Sequence, residues 1–188
     1  MSVAIPLYFD PGTEAAIAAV MKELAERGVA PYMHETGIRP HITLSVYRDL
    51  PRDACPRILS DLAASQPPLP VTFSHLGIFT HPDPVVFLAP TITPALFDLH
   101  ARVDALLDVI GDLPAPYYLP GNWVPHCTLA VEMPAENIPA AVKIAQKLPL
   151  PLSGMLTDVC LLEFPPLRHV FTLPLHTPEE YNDADPAQ

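Results

Sequence analysis

The sequence predicts an α+β fold, bilobal and duplicated about a pseudo-twofold axis. Two observations carry that reading. The heptapeptide pattern Pro-His-x-Thr-Leu-x-Val occurs twice, as Pro40 to Val46 and as Pro125 to Val131. The same order of elements (strand, helix, His/Thr strand, helix, strand) surrounds each copy. The two histidines are 126 − 41 = 85 positions apart, too far for one local motif and suited to two halves of a duplicated unit. Each copy reads as a short strand, on which side chains alternate faces. Alternation puts His41, Thr43 and Ser45 on one face, with Ile42, Leu44 and Val46 on the other. It likewise puts His126, Thr128 and Ala130 opposite Cys127, Leu129 and Val131. The apolar faces belong to a core. The other faces each offer an imidazole beside a hydroxyl.

The elements follow in order. Val3 to Phe9 is a strand. Asp10 is a helix N-cap with Pro11 at the first helical position. Ile17, Val20, Met21 and Leu24 recur at i, i+3, i+4 and i+7, the stripe of an amphipathic helix that stops near Gly28. The first His/Thr strand runs over 41–47. A helix over 53–64 places Ile58, Leu59 and Leu62 on one side, and Leu69 to Phe79 is a strand. The order then returns. Val85 to Ala89 is a strand, and Thr93-Pro94 caps a helix. Its stripe is Leu96, Leu99, Val103, Leu106, Leu107 and Ile110, ending at Gly111. The second His/Thr strand spans 126–132, and a helix spans 136–148. Leu156 to Phe164 is a strand, and His169 to Leu173 is an extra one. One domain over 1–176 is expected, built of repeats at 3–79 and 85–174, with an acidic, flexible tail at 177–188.

Composition narrows the function classes. Apolar residues make up 49% of the 188, enough for a sizeable core and against a disordered chain. No run of about 18 apolar residues occurs, so no membrane span is expected. No signal peptide is visible at the N-terminus. The three cysteines, Cys55, Cys127 and Cys160, have no close spacing, which argues against a disulfide framework or a zinc knuckle and for a reducing, cytoplasmic setting. The formal net charge is −11, with only 10 Lys+Arg and no basic run. Long nucleic acid is held mainly by neutralising phosphates, so it is disfavoured as a partner. A small phosphate-bearing substrate is still compatible, because a few cationic groups in one cleft suffice. Nothing in the sequence announces an oligomer.

The paired motifs, His41-Ile42-Thr43-Leu44 and His126-Cys127-Thr128-Leu129, resemble those of the two-histidine (2H) phosphoesterase superfamily. The branch they resemble comprises the bacterial proteins known as 2′-5′ RNA ligase or RNA 2′,3′-cyclic phosphodiesterase. The resemblance covers about residues 3–174. It implies antiparallel sheets lining a central cleft with helices outside, and no cofactor or metal. It also implies cleavage, or reversible formation, of a 2′,3′-cyclic or 2′-5′ phosphodiester of a nucleotide or RNA end. His41 and His126 would be the catalytic pair, and Thr43 and Thr128 would bind the phosphate.

That chemistry suits these residue types. Attack on phosphorus needs a base for the nucleophile, an acid for the leaving oxygen and donors for the phosphate oxygens. A histidine titrates near pH 6.5, so one of a pair can be neutral while the other is charged. Pseudosymmetry makes the two roles formally exchangeable; we assign His41 as acid and His126 as base. Arg39, two residues before His41, and Arg168, at the start of the last strand, are further candidates for substrate contact. Tyr8, Tyr47 and Trp123 could stack on a base, although aromatics near strand ends more often belong to the core. A zinc site built from the two histidines and Glu132 is the rival chemistry, but threonine is a poor zinc ligand and no His-x-His or Cys-x-x-Cys occurs. A non-catalytic module binding a nucleotide or phosphate ligand in the same cleft is the alternative of a different class.

Overall fold

A computed structural model of the chain describes residues 2–176; the expected tail at 177–188 lies outside the described residues. Strand β1 (Ser2–Phe9) leads into helix α1 (Pro11–Glu26), followed by the short helix α2 (Tyr32–Glu35). Strand β2 (His41–Asp49), helix α3 (Cys55–Ser65) and strand β3 (Leu69–Phe79) complete the first half. The second half runs β4 (Val85–Pro90), α4 (Pro94–Asp108), β5 (Asp112–Pro114), β6 (Cys127–Ala130), α5 (Ile138–Ala145), β7 (Leu152–Phe164) and β8 (Arg168–Pro174).

The sequence signals act where expected. The Asp10 carboxylate accepts from the Gly12 and Thr13 amides at 3.0 Å each, which satisfies two of the unpaired donors at the start of α1. Its second oxygen accepts from the Met155 amide at 2.8 Å, so one side chain both starts the helix and ties it to β7. Ile17, Val20, Met21 and Leu24 are all buried. Gly28 takes φ +63°, the left-handed conformation that ends a helix and that glycine adopts without strain. In α4 the predicted stripe is narrower than expected. Leu96, Leu99, Val103 and Leu107 are buried, whereas Leu106 turns to solvent and the helix stops at Asp108. Strand β7 starts four residues earlier than predicted, at Leu152. Gly154 sits inside this added stretch of strand. A Cβ there would meet the Thr13 hydroxyl at 1.8 Å, so glycine is what lets the start of α1 approach β7.

The strands form one connected antiparallel sheet in the order β5-β2-β1-β7-β3-β4-β6, with β8 on β7. The central six, β2-β1-β7-β3-β4-β6, read as a palindrome of the duplication. The third strand of each half has crossed to the other half: β3 pairs with β4, and β7 pairs with β1. The crossed strands meet at their first residues, where Leu69 faces Leu156, Val71 faces Gly154 and Phe73 faces Leu152. One face of the sheet carries the helices and a large core that includes Ile5, Leu7, Leu44, Leu129 and Val159. The other face carries a small buried cluster of Ala4, Tyr8, Cys160 and Leu162.

Candidate active site

Both His/Thr strands carry a β-bulge at the same place. Ile5 faces Ser45 but Pro6 faces Thr43, which skips Leu44. Val86 faces Ala130 but Phe87 faces Thr128, which skips Leu129. A bulge inserts one extra residue and re-aims the side chains after it. This corrects the expectation of simple alternation. Ser45 and Ala130 turn into the core, with 2% and 0% exposure. Val46 and Val131 take their places beside the histidines. Proline at position 6 suits the first bulge, because it has no N–H to give to the ladder.

His41, Thr43, His126 and Thr128 line one cavity of about 300 Å³. The two predicted pairs therefore meet. The imidazoles are held in the same way. His41 Nδ1 donates to the Arg39 carbonyl and His126 Nδ1 donates to the Val124 carbonyl, each at 2.7 Å. A carbonyl only accepts, so the proton sits on Nδ1 and Nε2 is left as the nitrogen that exchanges protons with an occupant. Burial lowers the pKa of both rings below that of a free histidine, against the raising effect of these carbonyls. The charge of His126 lowers His41 further.

The surroundings of the two rings differ. His41 lies edge-on to Tyr8, with centroids 6.4 Å apart, and its backbone amide hydrogen-bonds the Cys127 thiol of the opposite motif. His126 lies edge-on to Phe79 and Phe87, at 5.1 and 5.4 Å. Gly77 makes this possible, since a Cβ there would come within 2.2 Å of the Phe87 ring.

Sequence reasoning missed Tyr118. It stands in a 3₁₀ turn at Pro116–Tyr118 and lines the cavity with Thr43. The Trp123 indole donates to the Thr43 carbonyl at 3.0 Å and stacks on His100 at 4.1 Å, while His100 Nε2 donates to the Tyr118 carbonyl at 2.8 Å. The Thr43 and Tyr118 backbones are thus tied together through Trp123 and His100. The only sequence signal was the Tyr117-Tyr118 pair in an irregular, proline-flanked stretch. A second cavity of about 350 Å³ opens on the far side of His126, lined by Phe79, Asp83, Tyr117, Asn122 and Trp123 among others, and shares Tyr118 and Val131 with the first.

The two arginines stand elsewhere. The Arg39 guanidinium is bidentate on Glu14, with its Nε at 2.9 and 3.1 Å from the two oxygens, and lies 4.0 Å over the Tyr8 ring. Its contribution to the site is its carbonyl. Arg168 pairs at 3.5 Å with the buried Glu163, which also holds Arg52. Neither guanidinium lines the cavity. Tyr8 is buried between Arg39 and His169, Tyr47 is wholly in the core, and Trp123 is the buried brace already described. Among the described residues, no group of three His, Cys, Asp or Glu side chains gathers to hold a metal ion.

The fold recurs in known structures. A Thermus thermophilus protein, TT0787, superposes with a TM-score of 0.61 at 17% identity, over 96% of this chain and 100% of that one. Escherichia coli LigT in apo form gives 0.57 at 17% identity, covering 93% and 96% of the two chains. Kluyveromyces marxianus Usb1 gives 0.55 at 13%, covering 93% and 98%. No curated protein sequence matches the chain. The family model described as the 2′-5′ RNA ligase superfamily matches residues 11–165, a stretch that contains both His/Thr motifs and Tyr118. With that match spanning most of its length, the chain belongs to the 2′-5′ RNA ligase superfamily of two-histidine phosphoesterases.

Proposed function

We propose that the chain is a metal-independent phosphodiesterase that hydrolyses, or in reverse forms, a 2′,3′-cyclic or 2′-5′ phosphodiester by general acid–base catalysis with His41 and His126. The observation that carries this reading is the convergence of the two histidines on one cavity, each with Nδ1 fixed and Nε2 left for chemistry. The neutral imidazole takes the proton of the attacking water, the new P–O bond forms, and the P–O bond to the leaving ribose oxygen breaks as the imidazolium gives that oxygen its proton. Thr43 and Thr128 hold non-bridging oxygens, and Tyr118 lines the same space. The repulsion between the two imidazoles disfavours a second proton, and a bound phosphodiester anion favours the first, which together give the singly protonated pair that the reaction needs. Structures of LigT with 3′-AMP and with phosphate support a nucleotide-sized ligand for this fold.

The test is turnover of 2′,3′-cyclic nucleotides and 2′-5′ dinucleotides with EDTA present. We expect activity that EDTA leaves intact and that His41→Ala or His126→Ala lowers by about 10²–10⁴. Turnover that neither substitution reduces, or that only EDTA removes, refutes the mechanism. Ligand binding without any turnover in the wild type establishes the binding-module alternative.

A further inference from the structure

Among the described residues, the cavity that holds the two histidines is lined by no Asp, Glu, Lys or Arg. Apart from the histidines, threonines and Tyr118, it is closed by Met33, Ile38, Val46, Leu162, Phe164 and Leu167 among others, and neither it nor its neighbour is lined by a lysine or arginine. The chain's cations are committed elsewhere. Six of the ten are paired with glutamates: Lys22, Arg27, Arg39, Arg52, Lys147 and Arg168. The other four, Arg48, Arg57, Arg102 and Lys143, are exposed and outside both cavities. Among the described residues, the carboxylate on the second cavity is that of Asp83.

Resting on the phosphodiesterase reading above, we propose that this site selects a phosphodiester bearing a single negative charge, with an apolar substituent on the Leu162/Phe164/Leu167 side of the phosphate. The charge balance is the first argument. A bound diester anion favours protonation of one imidazole, and that single positive charge balances it, with neutral hydroxyls as the remaining donors. A second phosphate would find no counter-charge, would lie in a chain of net charge −11, and would meet Asp83 if it pointed into the neighbouring cavity. Size and polarity give the second argument. About 300 Å³ is the low end for a ligand pocket. It admits one small group beside the phosphate, and an apolar group recovers the burial of six apolar walls that a hydrated one would leave unpaired. The aromatic second cavity, with Asn122 and Tyr117, is left for the nucleoside.

Two measurements test this. Inhibition or calorimetric binding of three probes, dibenzyl phosphate, dimethyl phosphate and pyrophosphate, reads the pocket without requiring turnover. We expect dibenzyl phosphate to bind at least tenfold tighter than dimethyl phosphate, and pyrophosphate most weakly. In parallel, kcat/KM for adenosine 2′,3′-cyclic phosphate is compared with that of the same compound carrying a 5′-phosphate. The added phosphate should cost tenfold or more in wild type, and Asp83→Lys, on the second cavity, should recover most of the loss while leaving dibenzyl phosphate binding unchanged; Leu167→Lys, at the half-buried rim of the first cavity, should weaken dibenzyl phosphate without recovering the loss. Equal or better use of the 5′-phosphorylated substrate, or pyrophosphate binding as tightly as dibenzyl phosphate, overturns the proposal. Absence of turnover on either nucleotide refutes the phosphodiesterase reading instead, and the probe series then decides the pocket alone.

Discussion

The two halves present the same residues at the same bulge, yet they surround their histidines differently. The His41 half is polar behind the ring, with Tyr8, the Arg39–Glu14 pair and the Cys127 thiol close by. The His126 half is apolar, with Phe79 and Phe87 edge-on and an open second cavity at its side. The Thr43 carbonyl accepts from the Trp123 indole, and no such side-chain bond is seen for Thr128 among the described residues. Duplication thus supplies two equivalent imidazoles, which we propose as the proton-transfer groups, and the flanking, non-repeated residues make them unequal. A substrate with two different ends needs that inequality.

The largest effect that can break this comparison comes from the histidines. His41→Ala and His126→Ala should each lower kcat by about 10²–10⁴. The double variant should lose little more, because acid and base act as a unit. Unequal losses between the two single variants would show that only one transfer limits the rate. Next come the threonines. Thr43→Val and Thr128→Val each remove a donor to a charged oxygen, for which about 1.5–3 kcal/mol, or roughly 10–150-fold, is expected. Steady-state rates decide this, and a loss at neither position refutes the phosphate-holding role.

Gly77→Ala sharpens the comparison from the other side. The new Cβ must displace the Phe87 ring, so we expect about 1–3 kcal/mol of destabilisation and a shift of the pH–rate limb that belongs to His126. An NMR titration should find the His126 resonance moved and that of His41 unchanged. The smallest effect is on stability against pH. Both histidines have folded-state pKa values below the unfolded value of about 6.5. The unfolded chain therefore takes up protons first on acidification. Stability is full above about pH 6.5 and falls as the pH drops through that value towards the folded pKa values. The fall in Tm between about pH 7.5 and pH 5 should be shallower in a His41→Gln, His126→Gln variant; His100, whose burial also lowers it, leaves a remainder in both proteins.

Much of this was legible in the sequence, because the signals were local and repeated. The helix cap at Asp10, the stripe of α1, the stop at Gly28 and the doubled motif all act over a few residues, and each is found where it was read. Three kinds of feature were not legible. The bulges depend on what the partner strand presents, so alternation alone put Ser45 and Ala130 on the wrong face. Tyr118 reaches the cavity through an irregular turn with no periodicity to reveal it. The arginines were judged by their distance along the chain from the motifs, whereas Glu14 and Glu163, remote in sequence, decide where they point.

The crossing of β3 and β7 has a consequence for how such a molecule can be divided. A cut between Phe79 and Val85 leaves one fragment with β1 and β2 but without β7, the neighbour of β1, and another with β4 and β6 but without β3. Each fragment carries the strand that the other lacks. Neither is a miniature of the whole, and each exposes an edge shaped for its counterpart. The halves are reciprocal lenders. A single half would find its missing strand only in a second copy of itself, so the symmetry that builds the cavity in one chain is that of a strand-exchanged pair.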